Sequence, residues 1–167
     1  VICKELIMPL IKKIGYIRTE LTSLRSWCKG QSGMGEMHNS RYAFNRTHKW
    51  FKHSVILDKI PTIDPGNWDE RVFRLGDRIY PEWDCALLCH YRPGGCMITH
   101  TDHVVFHPFT VLVNIGCCTF CIGNEEYFLE DGQVISFHSD IPHQLLPVFS
   151  ERWSLTFRRI RSHYFHN

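Results

Sequence analysis

The tripeptide His100-Thr101-Asp102 closes an apolar run and pairs two metal-binding residue types at a spacing that brings them together. Strand side chains alternate between faces, so residues i and i+2 share one, and an imidazole and a carboxylate placed there can meet on a single ion. His143, about 40 residues further on and just past another apolar stretch, is a candidate third ligand. Two histidines and one carboxylate form the facial set that holds non-haem Fe(II) and leaves coordination positions open, and open positions serve catalysis rather than structure. Eleven histidines make a chance His-x-Asp pair easy, and His138, also near a strand end, competes for the third place.

A second pattern lies near the carboxyl terminus, in Arg152-Trp153-Ser154-Leu155-Thr156-Phe157-Arg158. On a strand, Arg152, Ser154, Thr156 and Arg158 share one face, and Trp153, Leu155 and Phe157 share the other. Turned inward, two arginines are costly unless an anion meets them, and a dicarboxylate would supply bidentate partners. Turned outward, the same pattern is only a half-solvated strand.

These residues need strands to position them. After Pro81, short alternating segments follow one another: Asp84 to Tyr91, Met97 to Asp102, Phe109 to Ile115, Thr119 to Ile122, Tyr127 to Leu129, Gln133 to His138, Gln144 to Val148 and Arg152 to Ile160. Turn residues separate them, among them Pro93-Gly94-Gly95, Gly123-Asn124 and Asp131-Gly132. This density of short strands predicts an all-β core with flanking helices, arranged as a double-stranded β-helix or jelly roll. Residues 4–29 place Leu6, Leu10, Ile14, Ile17, Leu21 and Leu24 at helical spacing and are expected to form an amphipathic helix, interrupted near Pro9 and Gly15. From Gly30 to about Pro81, loops with short elements are expected. The expected organisation is an amino-terminal helical and loop region, residues 1–80, as a candidate substrate-recognition lid, and a jelly-roll core over residues 81–167, the two forming one structural domain.

Taken in order, Tyr91-x-Pro93-Gly94-Gly95, His100-x-Asp102, His143 and Arg152-x-Ser154-x-Thr156-Phe157-Arg158 resemble the AlkB-type 2-oxoglutarate and Fe(II)-dependent dioxygenases. The resemblance spans about Asp84 to Arg159; nothing in the first 80 residues adds to it. It implies that His100, Asp102 and His143 bind Fe(II), that Arg152 and Tyr91 hold the distal carboxylate of 2-oxoglutarate beside Ser154, and that Arg158 lies near the chelating end. His143 is preferred over His138 because it follows the turn Ser139-Asp140-Ile141-Pro142 and stands nine residues before Arg152, as in compact members. Cys89 and Ser154 stand where asparagine is frequent in that family, which thins the hydrogen bonding around the cosubstrate.

The resemblance further implies oxidative demethylation of N-alkylated nucleobases in DNA or RNA, with O₂ as second cosubstrate and succinate, CO₂ and formaldehyde as products. Such a base must leave its stack and be held by aromatic rings, for which Trp50, Phe51, Trp68, Trp83 and Phe137 are candidates. Val104 and Val105, however, stand where a bacterial member carries acidic residues that help to read the base. A same-fold hydroxylase or demethylase acting on a protein or small molecule, and a non-catalytic jelly-roll binding module, are the alternatives.

Bulk properties agree with one globular unit. The 167 residues are 44% hydrophobic and 22% charged, and no window reaches a membrane-spanning length of apolar residues. Eight irregularly spaced cysteines suggest reduced core thiols and hence a cytoplasmic or other reducing compartment, with Cys118-x-x-Cys121 as an unpaired half of a zinc motif. The opening at Val1 lacks the layout of a signal peptide. Net charge is +2, yet residues 1–59 hold eleven bases against four acids, a positive field suited to nucleic acid or to nothing but solvent. A monomer is expected.

Overall fold

The computed structural model describes residues 8–36 and 41–166. A ten-stranded antiparallel sheet curls into two layers, with strand order β1-β10-β7-β12-β6-β11-β8-β9 and β3 added along β6. The strands are β1 (Ile11–Tyr16), β2 (Gly35–Glu36), β3 (Ala43–Phe51), β4 (His53–Ile56), β5 (Thr62–Pro65), β6 (Cys85–His100), β7 (Phe109–Ile115), β8 (Cys118–Ile122), β9 (Glu125–Leu129), β10 (Gln133–His138), β11 (His143–Leu145) and β12 (Arg152–Arg158). Two helices, α1 (Leu21–Lys29) and α2 (Glu70–Ile79), accompany them. The jelly-roll expectation is met.

The 16-residue β6 joins the layers. Its first half pairs with β12, from Cys85 to Tyr91, and its second half pairs with β11, at Met97 and His100. Pro93-Gly94-Gly95, expected to separate two strands, instead lies within β6. Gly94 there has φ +83°, and a Cβ on Gly95 would come within 2.8 Å of the carbonyl oxygens of Arg92 and Asn45, so only glycine lets β3 approach.

Both faces of the main layer are covered. Inside the curl lies one apolar cluster, including Leu87, Leu112, Phe120, Ile135 and Phe137. Outside, Leu88, Val113, Trp153, Leu155 and Phe157 pack with Leu24 and Cys28 of α1 and Val72 and Leu75 of α2. Each such aliphatic side chain, fully buried, stabilises the fold by about 1.5–3 kcal/mol. Asp69 caps α2, its Oδ1 accepting from the amides of Arg71 and Val72, while its Oδ2 accepts from Trp27 Nε1 of α1 at 2.9 Å. The helices are thus tied to each other as well as to the sheet.

The amino-terminal third differs from expectation in two places. Of the helix expected over residues 4–29, residues 4–7 lie outside the described residues, residues 11–16 form β1, and only 21–29 are helical. The edge of β10 offers unpaired backbone groups, and Ile, Gly and Tyr are poor helix formers, so pairing prevails over the apparent period. A register shift between Lys13 and Gly15 also moves the side chains off simple alternation. Within the stretch expected to be loop, β3 runs for nine residues along β6. No helix among the described residues is long and apolar enough to cross a membrane.

Candidate active site

His100 ends β6 and His143 begins β11, and the two residues are direct register partners, so the sheet sets their imidazoles side by side with ring centroids 4.5 Å apart. Asp102 follows immediately, its backbone N–H held by the Ser139 carbonyl at 2.9 Å. The Nε2 atoms of His100 and His143 lie 3.7 and 3.6 Å from Asp102 Oδ1, and the three ligand atoms fall within 4.8 Å of one another. Each imidazole Nδ1 stands 2.8 Å from a backbone carbonyl, of Ile98 for His100 and of Ile141 for His143. A carbonyl only accepts, so Nδ1 carries the proton and donates, and both Nε2 lone pairs are left for a metal.

Arg158 completes the arrangement. Its Nε donates to Asp102 Oδ2 at 2.8 Å, which leaves Oδ1 facing the imidazoles. Burial works to raise the Asp102 carboxyl, but the Arg158 guanidinium, helped by His143 and His100, overcomes it and holds the group below the usual carboxylate range. Burial pushes the His143 imidazole below its ordinary range, against the pull of Asp102. Near neutral pH the cluster therefore offers a carboxylate and a neutral imidazole at His143, the forms that bind metal. Arg158 Nη1 is buried without a hydrogen-bond partner among the described residues, a donor available to a ligand. The donor set fits Fe(II), and the partnerless arginine donor fits an anion beside it.

The same cavity, about 500 Å³ including its open mouth, is lined by Tyr91, Arg152, Ser154, Thr156 and Arg158 together with His100 and His143. The polar face of β12 thus turns inward. Arg152 is almost completely buried, its Nε donating to Asn114 Oδ1 at 2.8 Å and its guanidinium 5.1 Å from the centre of the Tyr91 ring. Asn114 is itself aimed by its amide, which donates to the Glu130 carbonyl at 2.9 Å.

Other expected residues scatter. His138 is exposed and packs edge-on to Phe109, and His103 Nδ1 accepts from the Val105 amide. Neither joins the His100, Asp102 and His143 group, the one cluster of potential metal ligands among the described residues. The seven described cysteines are free thiols, with Cys118 buried and Cys121 half-buried. Of the aromatic candidates, only Phe137 lines the cavity, its ring edge-on to His143 at 5.3 Å. Trp50 is buried against Phe106, Phe51 and Trp83 belong to the helix-side core, and Trp68 is 70% exposed beside Phe73 of α2. The basic excess of the amino-terminal third is partly structural, since Arg25 pairs with Asp131 and Lys52 donates to the Trp83 carbonyl.

Three residues at the site escaped sequence reasoning. Asn114 was signalled only as a polar residue inside the apolar run Phe109–Ile115. Arg46, on β3, lines the cavity, and its Nη1 approaches the Met97 sulfur at 3.0 Å. Tyr42 stacks on His100, with ring centroids 5.5 Å apart and planes 27° from parallel. The residue remains 37% exposed, with the Arg41 guanidinium 5.5 Å from the ring centre.

The sequence matches no protein-family model and no curated protein. Solved structures are similar in fold. OsALKBH1 superposes with a TM-score of 0.65 at 14% identity, over 92% of this chain and 99% of that one. A prolyl-4-hydroxylase from Pseudomonas putida gives 0.60 at 13% identity, over 92% and 94% of the two chains. A Trichoplax adhaerens prolyl hydroxylase, in complex with a hypoxia inducible factor oxygen degradation domain peptide, gives 0.63 at 14% identity, over 93% and 85%. A two-histidine, one-carboxylate cluster and buried arginines thus share one cavity in a chain that has the jelly-roll fold of the 2-oxoglutarate and Fe(II) oxygenases.

Proposed function

We propose that this chain is an Fe(II)- and 2-oxoglutarate-dependent dioxygenase that demethylates N-alkylated nucleobases in DNA or RNA. The observation that carries the oxygenase reading is one cavity lined both by His100 and His143, which cluster with Asp102, and by Arg152 beside Tyr91. A metal alone needs no such arginine, and a dicarboxylate alone needs no such triad. Fe(II), bound with 2-oxoglutarate and O₂, would supply the power to oxidise a substrate C–H bond while the cosubstrate is decarboxylated to succinate.

The chain's own residues hold and orient the participants. His100, Asp102 and His143 would hold the metal, and Arg158 steadies Asp102 so that one oxygen faces it. Arg152, Tyr91 and Ser154 would receive the distal carboxylate through charge-assisted and hydroxyl hydrogen bonds. Leu112, Phe120 and Phe137 also line the cavity and would exclude water from it once it is filled. For an N-methyl substrate the balance is substrate, 2-oxoglutarate and O₂ going to demethylated base, formaldehyde, succinate and CO₂.

The nucleobase reading is supported by Tyr42. A half-exposed aromatic ring beside a ligand imidazole, with Arg41 next to it, suits a flat base extruded from its stack and a phosphate close by. The likeness to prolyl hydroxylases favours a second reading, hydroxylation of a protein side chain. Incubating the iron-loaded protein with 2-oxoglutarate and methylated DNA or RNA oligonucleotides, followed by mass spectrometry, separates the two. Loss of the methyl group with equimolar formaldehyde is expected. Turnover that ignores oligonucleotides and instead adds oxygen to a peptide would replace the first reading by the second.

A further inference from the structure

Three cavity residues form one row across three strands. Arg46 of β3 is the direct register partner of Tyr91 of β6, and Tyr91 is the direct partner of Arg152 of β12. Neighbouring strands run about 4.8 Å apart, so the two arginine backbones stand roughly 10 Å from each other with Tyr91 between them. Long side chains on one face of such a row converge rather than diverge in a curled sheet. The Arg46 guanidinium lies 6.0 Å from the Tyr91 ring centre and that of Arg152 lies 5.1 Å from the same centre. All three line the cavity that His100 and His143 also line.

Two like charges drawn towards one tyrosine inside a small cavity repel, and an anion placed between them turns that repulsion into attraction. Cys89, also lining the cavity, is a weak thiol donor, and Arg46 is hydrogen-bonded with Tyr91 and brings Nη1 within 3.0 Å of the Met97 sulfur. Arg158, whose Nε is bonded to Asp102, stands beside the metal-binding cluster.

We infer that Arg46 is a positioning residue for the cosubstrate, closing with Arg152 and Tyr91 on its distal carboxylate so that one carboxylate meets two guanidiniums. The inference rests on the reading of the cavity as a 2-oxoglutarate site. It gives the amino-terminal third a part in cosubstrate binding through β3. It also makes the cavity select for a second carboxylate at the far end of the ligand, rather than only for a 2-oxo acid at the metal.

Anaerobic calorimetric titration of the Fe(II)-loaded protein with 2-oxoglutarate and with 2-oxobutyrate, which lacks the distal carboxylate, tests this. The readout is the ratio of the two dissociation constants, which a loss of folded or metal-loaded protein leaves unchanged. In Arg46→Met the preference for 2-oxoglutarate should fall about 10- to 100-fold, the range expected for one charge-assisted interaction. Arg46→Lys, which keeps the charge without the fork, should fall between Met and wild type. An unchanged ratio in Arg46→Met, with wild type still preferring 2-oxoglutarate, overturns the role of Arg46 and leaves the oxygenase reading standing. Failure of the wild type to bind 2-oxoglutarate overturns the oxygenase reading itself.

Discussion

The two faces of β12 are buried alike and differ in chemistry. Trp153, Leu155 and Phe157 face the helices, whereas Arg152, Ser154, Thr156 and Arg158 face the cavity, and all but Arg158 of these seven are fully buried. On the helix side, burial is its own reward, because apolar surface leaves water and meets close packing. On the cavity side, burial of two guanidiniums opposes folding unless each finds a partner, and the partners found are few: Asn114 for Arg152 and Asp102 for Arg158. The difference teaches that one face holds the fold and the other carries buried charge that packing alone does not offset. Substitutions on the two faces should therefore separate stability from binding.

The largest effect is expected on the helix side. Trp83 is 1% exposed, stacks edge-on to Phe157 and donates from Nε1 to Asp77 at 2.9 Å. Replacing Trp83 by Ala should cost about 3–5 kcal/mol of stability, read as a lower midpoint in urea, while folded protein keeps its affinity for Fe(II). A cost under about 1 kcal/mol would mean that this face does not carry the fold.

On the cavity side the stability effect should be small. Arg152→Leu removes a buried cation and leaves Asn114 Oδ1 short of a donor, so apo stability should move by no more than about 1 kcal/mol in either direction. Affinity for 2-oxoglutarate should nevertheless fall by one to two orders of magnitude, about 1.5–3 kcal/mol, in anaerobic titration. Unfolding of this variant, with no separable loss of affinity, would erase the contrast between the faces.

The smallest effect is a pH dependence. The Asp102 carboxyl is lower in the folded chain than in the unfolded one, so its contribution is present above the unfolded value near 4 and disappears as pH falls through the folded value. Arg158→Met should weaken this acid sensitivity, seen as a shallower fall of the urea midpoint between about pH 5 and pH 3. For His143 the imidazole is also lower when folded, so apo stability declines as pH drops below about 6.5 and the unfolded chain takes up the proton first. An acid dependence identical in wild type and Arg158→Met would show that Asp102 is not held by Arg158.

Legibility in the sequence followed the same division. Strands Phe109–Ile115 and Gln133–His138 stood out because turn residues bracket them and apolar residues fill them. The polar and apolar alternation of β12 was equally visible, although alternation cannot tell an inward polar face from an outward one. His100 and Asp102 were suggested by the two-residue period of a strand, and His143 by the family resemblance, after the turn Ser139-Asp140-Ile141-Pro142 and nine residues before Arg152; the fold makes it the register partner of His100. The amino-terminal third was opaque. In β1 the apolar spacing imitates a helix, and β3 mixes Arg46, His48, Lys49 and Trp50, whose burial comes from neighbours 40 residues away. Arg46 and Tyr42 could not be recognised as site residues because their partners, Tyr91 and His100, are reached only by cross-sheet contact.

The central claim is that His100, Asp102 and His143 form a metal centre beside a dicarboxylate site. Anaerobic Fe(II) titration of wild type and His100→Ala, with and without 2-oxoglutarate, addresses it most directly. The account predicts one Fe(II) per wild-type chain, bound more tightly when 2-oxoglutarate is present, and at least a tenfold loss of affinity in His100→Ala. Stoichiometric Fe(II) binding that is indifferent to both 2-oxoglutarate and the loss of His100 would contradict it.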